Sequence, residues 1–149
     1  MIFTHETVDQ LLADGRALFH AHAEEDVLHP DIPLELDEQH YRDGERLGLY
    51  RCFGMRDEGD LVGYAVFSVF RSPLYRSSLQ ANLGALYVTP SRRVVWPLRF
   101  LAFIESAFRT QGIQLLRFHA LPGSGLASLL EYHHYNLAHY EYEKRLDQE

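Results

Sequence analysis

Seven arginines between positions 71 and 117 (Arg71, Arg76, Arg92, Arg93, Arg99, Arg109 and Arg117) share their stretch with a single acid, Glu105. Guanidinium groups gathered on an otherwise acidic chain are the chemistry of a local anion site rather than of bulk nucleic-acid binding, although most of the seven are expected to be simply solvated. Nine histidines raise the question of a metal. His20 and His22 are two apart, and His133 and His134 are adjacent, so neither pair shares a helix face. No cysteine pair supports them, and no metal site is expected. Gly123-Ser124-Gly125 lacks the Gly-x-Ser-x-Gly elbow of a serine nucleophile and reads as a loop opening a helix. Its glycines can still approach a ligand. Cys52 is the only cysteine. It falls in a predicted strand, where a buried inert thiol is the default, and one cysteine excludes both a disulfide framework and a Cys-rich zinc site.

The elements that must position these residues come from a chain of 149 residues, the size of one domain spanning 1–149. Such a chain buries roughly 70% of its unfolded surface and needs no metal or disulfide to fold. Apolar residues make up 46% and charged residues 23%, which excludes a disordered protein, a collagen and a coiled coil. No stretch reaches the ~18–20 apolar residues of a membrane span. The segment Met1–Glu6 has neither the basic region nor the apolar core of a signal peptide, so a cytoplasmic location is expected. The net charge of −7 is uneven: residues 1–60 hold 15 Asp/Glu against 5 Arg, and residues 61–149 hold 6 Asp/Glu against 8 Arg and 1 Lys.

Periodicity predicts a first helix over about 8–23, with Val8, Leu11, Leu12, Leu18 and Phe19 on one stripe and Thr7 and Gln10 placed for a capping box. Pro30 and Pro33 exclude helix after Glu24-Glu25-Asp26. A short second helix follows Asp37. Leu49–Met55 and Leu61–Phe70 read as an antiparallel hairpin, and Leu79–Val88 as a further strand. From Pro97 to Gln111 the period is helical again, closed by Gly112. Ile113–His119 reads as a strand, Leu126–His133 as a helix and Tyr135–Leu146 as a last strand. Antiparallel strands followed by a β-α-β-α-β run predict an α+β (mixed α/β) fold: a central mixed, mostly antiparallel sheet of about six strands with helices on both faces.

On these pieces the chain resembles the Gcn5-related N-acetyltransferase (GNAT) superfamily, in particular its short bacteriophage-encoded branch. The resemblance is carried by His22-Ala23-Glu24-Glu25, by Asp37–Tyr41, by Asp60–Tyr64, by Ala85-Leu-Tyr-Val-Thr-Pro90-Ser-Arg92-Arg93, and by Leu129–Tyr135 followed by Tyr142–Leu146. It implies acetyl-CoA as cofactor, entering where two parallel strands splay apart. The backbone of Leu86, Tyr87 and Val88 would bond the pantetheine arm. Arg92, Arg93, Val95, Trp96, Pro97 and Arg99 would surround the pyrophosphate at a helix N-terminus, which offers unpaired N–H donors and a positive dipole end.

The sequence departs from the family at that loop. Where the family reads Arg-Arg-Gly-Gly-x-Gly, this chain reads Arg92-Arg93-Val94-Val95-Trp96-Pro97. Branched side chains replace glycines that let backbone approach phosphate, and Pro97 removes one N–H although it suits a first helical turn. The family's tyrosine that protonates the departing thiolate falls here on Leu130. Tyr132 is the nearest tyrosine, on a different helix face, and His134 stands where a glycine is usual.

Two readings follow. In the first, the protein is an active N-acetyltransferase. Glu24, Glu25 or His22 takes the proton of the amine, because the family's acceptor cleft is lined by that helix end, and Tyr132 is the candidate acid. The acidic N-terminal half favours a cationic amine. In the second, the loop has degenerated, and the fold binds and modulates a host bacterial protein without catalysis, through Trp96, Tyr75, Tyr132 and Tyr140. Trp96 can instead plug the cofactor groove with Val94 and Val95. The partners expected are thus acetyl-CoA with an amine acceptor, a host protein, or a second copy of the chain as a homodimer; neither nucleic acid nor membrane is expected.

Overall fold

The computed structural model describes residues 1–26 and 28–147. The capping box forms: Gln10 N–H donates to Thr7 Oγ1 at 3.1 Å, and Thr7 N–H to Gln10 Oε1 at 2.7 Å. It opens α1, Val8–Asp14. The single helix expected to 23 is two, because Gly15 ends α1 and begins α2, Arg16–Glu25. A Cβ on Gly15 would lie 2.5 Å from the Leu11 carbonyl oxygen and 2.7 Å from the Phe19 ring. Only glycine lets the two helices meet at that angle with Phe19 folded back over the joint. The helix α3, Glu38–Arg46, is capped by the Asp37 carboxylate, which accepts from His40 N–H at 3.0 Å.

Four strands follow or precede these helices: β1 at Ile2–Glu6, β2 at Tyr50–Asp57, β3 at Asp60–Ser72 and β4 at Tyr75–Val88. The helix α4 covers Trp96–Thr110, and β5 is the short Leu115–Arg117. The sheet runs β1-β2-β3-β4-β5; the first three pairings are antiparallel and β4–β5 is parallel. The architecture is therefore the mixed, mostly antiparallel one expected, with five strands among the described residues. β1 was not anticipated from the sequence. It pairs from Ile2 with Arg56 to Glu6 with Cys52.

Alternation along the strands separates two cores. On one face Phe53 and Phe67 meet Phe108 of α4 edge-on, with ring centroids 5.2 and 5.0 Å apart, and Phe100 and Ile104 of α4 are buried beside them. Each such side chain contributes about 1.5–3 kcal/mol on burial, so this aromatic layer is the rigid floor of the sheet. On the other face Cys52, Tyr64 and Tyr87 pack with Val8, Leu11 and Leu12 of α1. The helices thus lie on both faces.

The chain divides into two compact units, Met1–His119 and Ala120–Glu149. The second carries α5, Gly125–Tyr132, capped by Ser124 Oγ, which accepts from Ala127 N–H at 3.2 Å. Its end is closed by Tyr135 N–H donating to the Leu130 carbonyl, with His134 left-handed at φ 64°, the usual glycine position of such a cap. The strand expected over Tyr135–Leu146 is not formed. Tyr140 and Tyr142 are exposed, and residues 135–147 carry no ladder.

Candidate active site

The strands β4 and β5 pair only from Gln80–Leu115 to Asn82–Arg117. Beyond Asn82, β4 continues to Val88 paired on one side alone, with Ala65, Tyr64 and Gly63 of β3 facing Leu86, Tyr87 and Val88. The register shift between Val66 and Phe67 leaves Gly84 as the extra residue of β4, a bulge at the point where the two parallel strands part. One edge of Leu83–Val88 therefore offers backbone donors and acceptors to a ligand that can lie along it, as an added strand would.

That edge runs into the turn Pro90–Arg92 and the N-terminus of α4, which has no side-chain cap and carries Pro97 in its first turn. Val94 is 93% exposed and fills no groove. Trp96 packs edge-on against Phe3 at 6.4 Å, with Arg99 over its ring at 5.3 Å, so it serves the sheet surface rather than a free aromatic anchor. Tyr75 and Tyr140 are exposed. Arg92 donates to Asp57 at 2.5 Å. Arg93 donates from Nε to the Val88 carbonyl at 2.7 Å and from Nη2 to both oxygens of Glu25, at 3.0 and 2.7 Å. Arg99 has no acidic partner among the described residues. Of the three arginines expected at a phosphate, two already hold carboxylates.

The end of α2 is the centre of the site. Glu25 also accepts from the Tyr87 hydroxyl at 3.1 Å, and the Arg93 guanidinium lies 5.1 Å over the Tyr87 ring. Burial pushes the Glu25 carboxyl up, but the hydrogen bonds from Arg93 and Tyr87 outweigh it and hold the group below the usual carboxylate range. Burial, then the hydrogen bond to Glu25, raises the Tyr87 phenol. His22 stacks on Tyr87 at 5.2 Å. Its Nε2 is 2.9 Å from Asp26 Oδ2 and its Nδ1 is 2.7 Å from the Tyr64 hydroxyl. A carboxylate can only accept, so the neutral ring donates from Nε2 to Asp26 and accepts the Tyr64 O–H at Nδ1. Burial raises the Tyr64 phenol strongly, which keeps it a donor. Asp26–His22–Tyr64 and Tyr87–Glu25–Arg93 are thus two hydrogen-bonded chains joined by the His22–Tyr87 stack.

Glu24 is exposed and joins neither chain, with no side-chain partner among the described residues. Tyr132 is 74% exposed at the end of α5, with a ring contact to His133, whereas Leu130 is buried. Sequence reasoning missed Tyr64, Asp26 and Asp57. The i, i+4 spacing of His22 and Asp26 on one helix was a usable signal; nothing in the local sequence pointed to Asp57. A cavity of about 270 Å³ opens on the same sheet face, bordered by His22, Asp26 and Tyr64. No group of three metal-ligating side chains converges among the described residues. No described helix is long and apolar enough to cross a membrane.

The overall fold is shared with solved acetyltransferases. The ribosomal-protein-alanine N-acetyltransferase of Brucella melitensis biovar Abortus superposes with a TM-score of 0.72 at 14% identity, over 98% of this chain and 100% of that one. The chain has the acetyltransferase fold. A predicted acetyltransferase from Clostridium acetobutylicum, solved with acetyl-CoA, gives 0.70 at 10% identity over 97% of this chain and 96% of that one. An aminoglycoside acetyltransferase from an uncultured soil metagenomic sample, in complex with sisomicin, gives 0.70 at 14% identity with the same coverage. No protein-family model and no curated protein matches the sequence.

Proposed function

We propose that the protein is a GNAT-type N-acetyltransferase that moves the acetyl group of acetyl-CoA to an amine, with residues 1–149 acting as one domain. The observation that carries this reading is the unpaired Leu83–Val88 edge beyond the three-residue β4–β5 ladder, leading straight to the uncapped start of α4. The residues present fit the pantetheine arm well, through the backbone of Leu86, Tyr87 and Val88. They fit the pyrophosphate less fully: the backbone N–H groups of Val95 and Trp96 and the side chain of Arg99 would hold it, Pro97 contributes no donor, and Arg92 and Arg93 join only by leaving Asp57 and Glu25. When bound, acetyl-CoA supplies an activated acetyl thioester.

The chain's own work is on the amine. An ammonium has no lone pair, so its proton must leave before the new C–N bond forms and the C–S bond breaks. Glu25, at the end of α2, offers carboxylate oxygens for that proton, whereas His22 can take it only at Nδ1 and only by releasing the Tyr64 hydroxyl. Glu24, exposed on the next position, adds negative potential that draws a cation in.

A second reading has its own support. The pairs Arg92–Asp57 and Arg93–Glu25 engage two of the loop's arginines with carboxylates, and Val94 is exposed where the family has glycine, which favours a degenerate member that binds a host bacterial protein in the host cytoplasm. Calorimetry with acetyl-CoA separates the two. Saturable micromolar binding, lost on Arg99→Glu, supports acetyl transfer. No heat and no thermal shift at millimolar acetyl-CoA overturns it.

A further inference from the structure

The cavity beside His22 has a composition that selects its occupant. Cys52 and Tyr64, both at most 5% exposed, line it, and the rest of its wall is mostly apolar, from Leu11 and Leu12 of α1, the Phe19 and Tyr41 rings, and Val66 and Ala85 of the sheet. No arginine or lysine lines it. Asp26, exposed, stands at the rim; only its Oδ2 is bonded to His22, and Oδ1 has no partner among the described residues. An apolar cavity of about 150 Å³ holds a benzene ring and stays dry. One of about 270 Å³ has room for a ring or branched chain with a short arm.

We propose that this cavity binds a small monoamine with a compact apolar body, the body against Leu11, Leu12, Val66 and Ala85 and the ammonium at Asp26. The charge sign follows from Asp26 at the rim, with exposed Glu24 two positions before it, and from the absence of any arginine or lysine in the lining. The apolar walls exclude a hydroxylated amino sugar, the ligand class of the sisomicin-bound neighbour, because its hydroxyls would be buried without partners. Naming this amine as the acetyl acceptor rests on the acetyl-transfer reading; its binding does not.

The test is direct binding without cofactor, by calorimetry on the full chain. Cyclohexylmethylamine is the probe, cyclohexanecarboxylate the same body with the opposite charge, and ethylamine the same charge without the body. The amine should saturate, and the carboxylate should bind at least about tenfold more weakly, since it meets Asp26 instead of being held by it. Ethylamine and sisomicin should give no saturable heat. Asp26→Asn, at an exposed position that leaves the core intact, should weaken the amine about tenfold. Ala85→Leu, which fills the cavity from the sheet side, should abolish binding with the thermal transition retained. Equal binding of amine and carboxylate, an unchanged affinity in Asp26→Asn, or no saturation by the amine would each overturn the proposal. Amine binding in a protein that ignores acetyl-CoA would leave the cavity's role standing and remove acetyl transfer. Acetyl-CoA binding with a silent amine panel would do the reverse.

Discussion

Glu25→Gln should tighten acetyl-CoA binding while slowing transfer. Arg93 is the residue that links the two effects. Its guanidinium makes two hydrogen bonds to Glu25 and one to the Val88 carbonyl, and both side chains of the ion pair are 40% exposed. An exposed pair of this kind is worth roughly 0.2–1 kcal/mol, and the two-pronged geometry places it near the upper end. The bond to Val88 adds about 1 kcal/mol. Turning Arg93 toward a phosphate therefore costs about 1–2 kcal/mol, a factor of roughly 5–30 in affinity. Replacing the carboxylate by an amide removes the charge part of that cost and should strengthen binding about three- to fivefold. The gain should shrink as salt screens the pair in the wild type. Calorimetry of wild type and variant at low and moderate salt reads both. Turnover should fall, because an amide accepts no proton at this pH. An affinity that is unchanged or weaker in Glu25→Gln would refute the competition between Glu25 and phosphate for Arg93.

Two further predictions concern the scaffold. Glu6 is 2% exposed and Arg56, 18% exposed, bonds both of its oxygens at 2.7 and 2.9 Å. Burial raises the Glu6 carboxyl, but Arg56 and the Thr4 hydroxyl outweigh it and hold it low, so its contribution is present above the usual carboxylate range and lost as pH falls through the lowered value. Arg56→Met should cost about 3–5 kcal/mol in urea unfolding at neutral pH. It should also reverse the trend, the variant regaining stability on mild acidification as the now-raised Glu6 takes up a proton; a loss under about 1 kcal/mol, or one flat with pH, contradicts this. His134→Gly should raise the melting temperature by about 1–3 °C, because a left-handed non-glycine residue costs about 1 kcal/mol, partly offset by the entropy of a new glycine. A lower transition temperature would show that the His134 side chain contributes more than its strain.

Features set by neighbours in sequence were legible, and those set by distant pairing were not. Thr7 and Gln10 are three apart, and their capping box forms as read. Pro97 at a first turn, with Leu101, Ile104 and Phe108 spaced at three and four, defines α4, and all three are buried. Gly15 sat on the apolar stripe of one expected helix, yet its missing Cβ is what splits it, because the contact to Phe19 depends on a backbone angle that periodicity does not encode. β1 was invisible for a related reason. Ile2–Glu6 is an edge strand with Ile2 exposed, and its sense comes from Phe3 and His5 facing Phe103 at 5.8 and 5.6 Å, almost a hundred residues away. Tyr135–Leu146 shows the converse: aromatic spacing suggests a strand, but a strand exists only where an edge receives it. The site follows the same rule. The sequence suggests Glu25 as a base and Arg93 as a phosphate ligand, each facing its substrate. Sixty-eight positions apart in sequence, they face each other. That pairing lowers the basicity of one and withholds the charge of the other, a loss added to that of the loop glycines, and both effects of the pair would be relieved together when Arg93 turns to a phosphate.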